Sequence, residues 1–163
     1  MAPFGASRAG LMSVAEDDIP DSVVSRDPDN ETDDSQTGQR GLVFEVASDR
    51  WGAFGAELSS NTSEVTRAYI YQKSDGQLLA DTDISDLSSG DTFTLDVDLD
   101  SNTEYNFVLD AEGAEYNQGA DLSPDFPYSS NDGEITLKTG AVDATDDVDI
   151  AYLMIKVGNV GFD

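Results

Sequence analysis

From residue 41 onward, apolar and polar residues alternate with a period of two. "LVFEVAS" sets Leu42, Phe44 and Val46 on one side, and "GAELS" does the same with Ala56 and Leu58. "DTFTLDVDLD" places Phe93, Leu95, Val97 and Leu99 in strict alternation, and "TEYNFVLDA" adds Tyr105, Phe107 and Leu109. Such spacing lines one face of a strand, because successive side chains of extended backbone point to opposite sides. "RAYIYQK" at 67–73 is rich in β-formers and runs through Ser74-Asp75-Gly76 into "DGQLLADTDI", a short hairpin signal. "GEITLKT" at 133–139 and "DIAYLMIKV" at 149–157 complete the series. No long amphipathic helix competes with them. About eight short strands parted by Gly, Asp, Asn and Ser turns predict an all-β fold, an antiparallel β-sandwich or jelly roll over residues 41–163.

Residues 1–40 break this pattern. The first fifteen are small and apolar, with Phe4, Leu11, Met12 and Val14 spread among Gly, Ala and Ser, and they carry Arg8. A polar stretch interrupted by Pro20 and Pro28 follows. Neither a helical nor a strand period holds over a whole window, so residues 1–40 are expected to form an extended N-terminal arm with one helical turn near 8–15. Four of the eight cations, Arg8, Arg26, Arg40 and Arg50, lie in the first 50 residues. A weakly apolar, less repulsive arm on an acidic body suits docking to a partner subunit. Phe4, Arg8, Leu11 and Met12 are its candidate assembly contacts.

Charge changes the picture most. The chain has 34 Asp and Glu against 8 Lys and Arg, a net charge of −26, and only three of the cations are Lys. At low salt such a chain repels itself in the compact state. At 1 M salt the Debye length is about 3 Å and most of that cost is gone. An acidic, Lys-poor surface around a core is the composition of a salt-adapted protein. Nucleic-acid binding is disfavoured, since phosphates need a cationic face. No apolar run approaches the ~18 residues of a membrane span. The N-terminus has one Arg, no continuous apolar stretch and no twin-Arg pair, so export by a signal peptide is not expected.

The chain has no Cys and no His. Disulfides, thiolate sites, Ser-His-Asp triads and the commonest metal ligand are therefore excluded. The acidic passage "DPDNETDDSQ" at 27–36 opens like a calcium loop but fails as one. Counted from Asp27, Thr32 stands where Gly is needed and Gly38 where Glu is needed; the count from Asp96 gives Ser101 and Phe107. These stretches read as solvated acidic surface, and neither a metal site nor a cofactor is expected. With 34 acids, any pair chosen for glycoside chemistry is explained by coincidence, so the chain is not expected to be an enzyme.

Three places invite closer reading. Thr103-x-Tyr105 opens a strand as in the corner of many sandwich domains, where the Tyr hydroxyl bonds to backbone upstream, so Tyr105 is read as structural. Residues 114–133 form the longest expected non-strand passage and hold Tyr116, Asn117, Phe126, Tyr128 and Asn131. Aromatic rings flanked by amides and carboxylates suit a sugar, the ring covering its apolar face and the polar groups its hydroxyls. The alternative is a loop stiffened by two prolines whose aromatics cap the core. Trp51 and Phe54 are assigned to core or subunit-contact packing, because a lone Trp is highly buried on average.

Taken as one unit, "WGAFGAELSSNT", "TRAYIYQKSDGQLLADTDIS", "GDTFTLDVDLDSNTEYNFVLDAEGAEYNQG" and "DFPYSSNDGEITLKTGA" resemble the small β-sandwich domains of virion proteins of haloarchaeal tailed viruses and proviruses. The resemblance spans about residues 41–157 and rests on pattern and phrasing. Those domains are jelly-roll-like, similar to carbohydrate-binding modules, and occur in capsid turrets and tail fibres. The resemblance implies a structural or host-attachment role in a homo-oligomer, assembled in the host cytoplasm into the virion. It implies contacts with other capsid or tail proteins through the arm and with a host surface glycan or glycoprotein, and it carries over no catalytic residue. The other reading is a glycan-binding module of a haloarchaeal cell.

Overall fold

The computed structural model describes residues 23–25, 32–58, 65–88, 90–118, 127–148 and 157–162. Every regular element among them is a strand. In chain order these are β1 (Val23–Ser25), β2 (Thr32–Val46), β3 (Ala53–Leu58), β4 (Val65–Gln72), β5 (Gln77–Asp83), β6 (Thr92–Asp96), β7 (Tyr105–Gln118), β8 (Tyr128–Ser129), β9 (Ile135–Val142), β10 (Asp146–Val148) and β11 (Val157–Phe162). They build two antiparallel sheets. The small one runs β1-β11-β3-β6, and the large one runs β10-β9-β2-β7-β4-β5 with β8 also paired to β9.

The alternation seen along the chain is the interface between these sheets. Leu42, Phe44 and Val46 of β2, Phe54, Ala56 and Leu58 of β3, and Phe107 and Leu109 of β7 are all buried in one cluster. Phe93 and Leu95 of β6 join it, as do Val97 and Leu99 just beyond. Phe54 of the small sheet stacks on Phe44 of the large one, with ring centroids 5.0 Å apart. It meets Phe107 and Phe162 edge-on at 5.3 and 5.6 Å. An inter-sheet layer of interlocked rings is what holds an aligned sandwich together. The antiparallel sandwich expected from the sequence is therefore the fold.

Local chemistry fixes the corners. The backbone N–H of Asp100 donates to the Tyr105 hydroxyl at 2.7 Å, and that hydroxyl faces the Asp100 carbonyl at 3.4 Å. This is the corner anticipated for Tyr105, whose hydroxyl is held above its ordinary pKa chiefly by burial. The Ser74-Asp75-Gly76 turn joins β4 to β5 as expected. Asp75 accepts the Gln77 N–H, and Gly76 takes a positive φ of 72° that a side chain would strain.

Two expectations differ from the structure. Strand pairing begins at Val23 of β1, which pairs with β11, and β2 follows from Thr32, both inside the segment read as an arm rather than at residue 41. Residues 32–36 pair with 114–118 of β7, beyond the points where β9 and β4 leave the sheet. The pairing there is a ladder of backbone hydrogen bonds, which does not depend on side-chain type, and no apolar alternation marks it in the sequence. For the same reason the passage expected as a loop from residue 114 is strand through Gln118. The helical turn expected near 8–15 and the strand expected over most of 149–157 lie outside the described residues.

Candidate recognition surfaces

Of the residues singled out in the 114–133 passage, the structure places two side chains. Tyr128 sits on β8 opposite Leu137 and is 37% exposed, and Asn131 is exposed in the turn to β9. Their hairpin is held firmly. Ser130 Oγ donates to Asp132 and accepts the Ile135 N–H at 3.0 Å, Asp132 accepts the Glu134 N–H, and Ser129 and Thr136 share a hydroxyl bond at 2.9 Å. Tyr116 and Asn117 are on β7 opposite Asp34 and Asp33. Their side chains, Phe126, and the arm contacts Phe4, Arg8, Leu11 and Met12 lie outside the described residues.

Trp51 and Phe54 part company. Phe54 is fully buried among three rings and offers no surface to another subunit; it is a core residue. Trp51 is 39% exposed, contrary to the burial expected of a lone Trp. Its neighbour explains this. Arg50 turns inward, with its guanidinium 5.7 Å from the Phe162 ring centroid and Nη2 3.0 Å from Glu134 Oε2. Arg50 sits on an isolated bridge to Leu99 with its side chain inward, and the next residue, Trp51, is left facing solvent. Because Ser48 also donates to Glu134, and the Ala47 N–H to its carbonyl, this corner moors the β8–β9 hairpin to the end of β2.

Sequence reasoning missed the outward face of the large sheet. Register aligns Gln39, Asp110, Arg67 and Asp83 in one row across β2, β7, β4 and β5. The next row holds Ala141, Gly41, Val108, Tyr69 and Asp81, and the third holds Thr139, Val43, Asn106, Tyr71 and Leu78. Val43, Val108 and Ala141 form a second buried cluster, with Tyr69 and Tyr71 packed against it. The two tyrosine rings stack with centroids 5.7 Å apart. Gln39 Nε2 donates to the Tyr71 hydroxyl at 3.1 Å, and the Tyr69 hydroxyl points to Asp110 Oδ2 at 3.5 Å. Burial first, and then the Asp110 carboxylate, raises the Tyr69 pKa. Leu78, opposite Tyr71, is 47% exposed. A signal for this face existed: Leu42-Val43-Phe44 and Phe107-Val108-Leu109 are apolar on both sides of their strands, which marks cover on both faces.

Part of that cover is the β9–β10 turn. Fully buried Asn106 donates through Nδ2 to the carbonyls of Asp143 and Asp146 at 3.1 and 3.2 Å, tying the turn down onto the sheet. Lys73 binds Asp147 at 3.1 Å from the side. Thr145 reaches the β4–β5 turn, where a Cβ on Gly76 would stand 3.0 Å from its Cγ2.

The acids have local tasks. Asp143 accepts the N–H groups of Thr145 and Asp146, Asp91 that of Ser88, and Asp83 both the N–H and the hydroxyl of Ser85. Asp49 accepts the Ser101 N–H at 2.8 Å across the sandwich end. Hydrogen bonds from Ser101, the backbone one foremost, and from Ser85, the side-chain one foremost, hold Asp49 and Asp83 below the usual carboxylate pKa. Among the described residues no three carboxylates converge to hold a metal ion, the 143–148 turn included. Among them, too, no helix is long and apolar enough to cross a membrane. No protein-family model matches the chain, and no curated protein matches it significantly.

Proposed function

We propose that the chain is a structural protein of a haloarchaeal tailed-virus particle, a capsid turret, decoration or tail component. In this role it assembles as a homo-oligomer and holds a salt-adapted β-sandwich toward the host surface. The observation that carries the reading is the pairing of that fold with an acidic surface whose turns are fastened by their own carboxylates. Such a scaffold displays its ends rigidly in brine, and the resemblance of residues 41–157 to virion sandwich domains points the same way. The test is composition of purified particles. Quantitative mass spectrometry of particles from a producing culture should find the chain at a fixed ratio to the major capsid protein. Recovery only from the host's cytosolic fraction would overturn the assignment.

A second reading, a glycan-binding module of a haloarchaeal cell, draws on the half-exposed Tyr128 ring beside Asn131 on one moored hairpin. Under that reading the isolated chain binds host surface glycan without any particle, and Tyr128→Ala removes the binding.

A further inference from the structure

Resting on the reading that the chain self-assembles, we propose that residues 1–15 of one copy dock on the outward face of the large sheet of a second copy, across Tyr69, Tyr71 and Leu78. That face is apolar at its centre: Leu78 is 47% exposed beside Tyr71, and the stacked tyrosines lie over buried Val43 and Val108. Its rim is acidic. Arg67 is engaged by Asp81, which leaves Asp83 and Asp110 as the surplus charge of the first row. An exposed apolar patch with a rim of one sign selects an apolar partner of the other sign.

Residues 1–15 have that character. In a chain with 34 acids in 163 residues they contain none; the first is Glu16. They carry Phe4, Leu11, Met12, Val14 and Arg8, so they can approach an acidic rim without adding to its repulsion. At high salt the long-range attraction of Arg8 is screened, but body-to-body repulsion is screened with it. What remains is apolar contact and charge pairing at touching distance.

Reach favours a second copy over the same one. β1 ends the small sheet near β9, while Tyr69 and Leu78 lie on β4 and β5 at the far side of the large sheet. Rounding the sandwich edge and crossing β9, β2 and β7 takes on the order of 30 Å, at about 4.8 Å per strand and 10 Å between sheets. Residues 16–22 extend at most about 25 Å, so in the same copy the C-terminal part of the 1–15 segment is spent on the route and cannot also lie on the patch. The β9–β10 turn, tied down by Asn106, also stands across that route.

The cysteine-free chain allows a clean test. Full-length Leu11→Cys and Leu78→Cys proteins are mixed under mild oxidation in about 3 M KCl, where repulsion is screened. A disulfide-linked heterodimer is expected. Full-length Leu78→Asp, altered at an exposed position and checked for native circular dichroism, should self-associate about tenfold more weakly or worse by sedimentation, since it sets another acid in the patch. Absence of the mixed disulfide, or unchanged self-association of Leu78→Asp, would overturn the docking. So would a Leu11→Cys, Leu78→Cys double variant that closes within a monomer. These outcomes stand apart from the particle test: a chain found in particles without the cross-link refutes the docking alone, and a cross-linking chain absent from particles refutes the virion reading alone.

Discussion

Phe54 separates core from contact more sharply than any other residue, and Phe54→Ala puts a number on it. The ring is fully buried and touches Phe44 and Phe107 of the opposite sheet and Phe162 of the neighbouring strand. Phe→Ala in a core costs about 3–5 kcal/mol, and the value rises when the cavity cannot collapse. Here the walls belong to two sheets whose separation is set by every other inter-sheet contact, so collapse is limited and the upper half of the range, about 4–5 kcal/mol, applies. That is about a quarter or more of the ~5–15 kcal/mol by which a domain of this kind is stable. With a urea dependence of about 2 kcal/mol per molar, the unfolding midpoint should fall by about 2 M. The measurement is urea unfolding followed by circular dichroism in about 3 M KCl, where self-repulsion is screened. Phe54→Leu, which keeps most of the volume, should lose less than about 1.5 kcal/mol. If Phe54→Ala unfolds at the wild-type midpoint but sediments as a smaller species, Phe54 is a subunit contact and the packing argument fails.

The tyrosine corner predicts that Tyr105→Phe lowers stability by about 1–2 kcal/mol, since the Asp100 N–H loses its acceptor. A thermal midpoint within error of wild type would show that water replaces the hydroxyl at no cost. Asp49 and Asp83 have folded pKa values below their unfolded ones, so their contribution is present above the ordinary carboxylate pKa of about 4 and is lost as pH falls through the lower folded values. In high salt the melting temperature should therefore drop as pH falls below about 4. Asp83→Asn, which keeps an acceptor but does not titrate, should flatten the drop, and an unchanged pH profile in this variant would refute the assignment.

The inner face of the sandwich was legible in the sequence because each of its residues does one thing. Phe93, Leu95, Val97 and Leu99 are buried and their neighbours exposed, so period two translates directly into position. Tyr105 was legible because its Thr-x-Tyr context names a bond within the same few residues. What could not be read depends on partners distant along the chain. The polar ladder of residues 32–36 takes its reason from residues 114–118, and Trp51 is exposed because Arg50 finds Glu134, 84 residues on, and Phe162 further still. The outward patch was visible only as strands apolar on both sides. That pattern announces a cover but does not say that Asn106 holds the 143–146 turn over it.

The distribution of acids explains how one surface can be both repulsive and ordered. Repulsion among carboxylates is a sum over long distances, and salt at molar strength cuts it to a range of about 3 Å. The bonds that fasten the turns act within that range: Asp49 to Ser101 at 2.8 Å, Asp83 to Ser85 at 2.9 Å, and Asp143 to Thr145 at 3.0 Å. Raising salt therefore removes the unfavourable sum while leaving these contacts in place. A lysine at any of these positions would lower the net charge yet leave a backbone N–H without its acceptor, because an ammonium only donates. The scarcity of Lys thus has a local reason beside the global one. At the turns of this sandwich a carboxylate is the hydrogen-bond acceptor that the backbone requires, and the repulsion that so many of them bring is the part that molar salt screens.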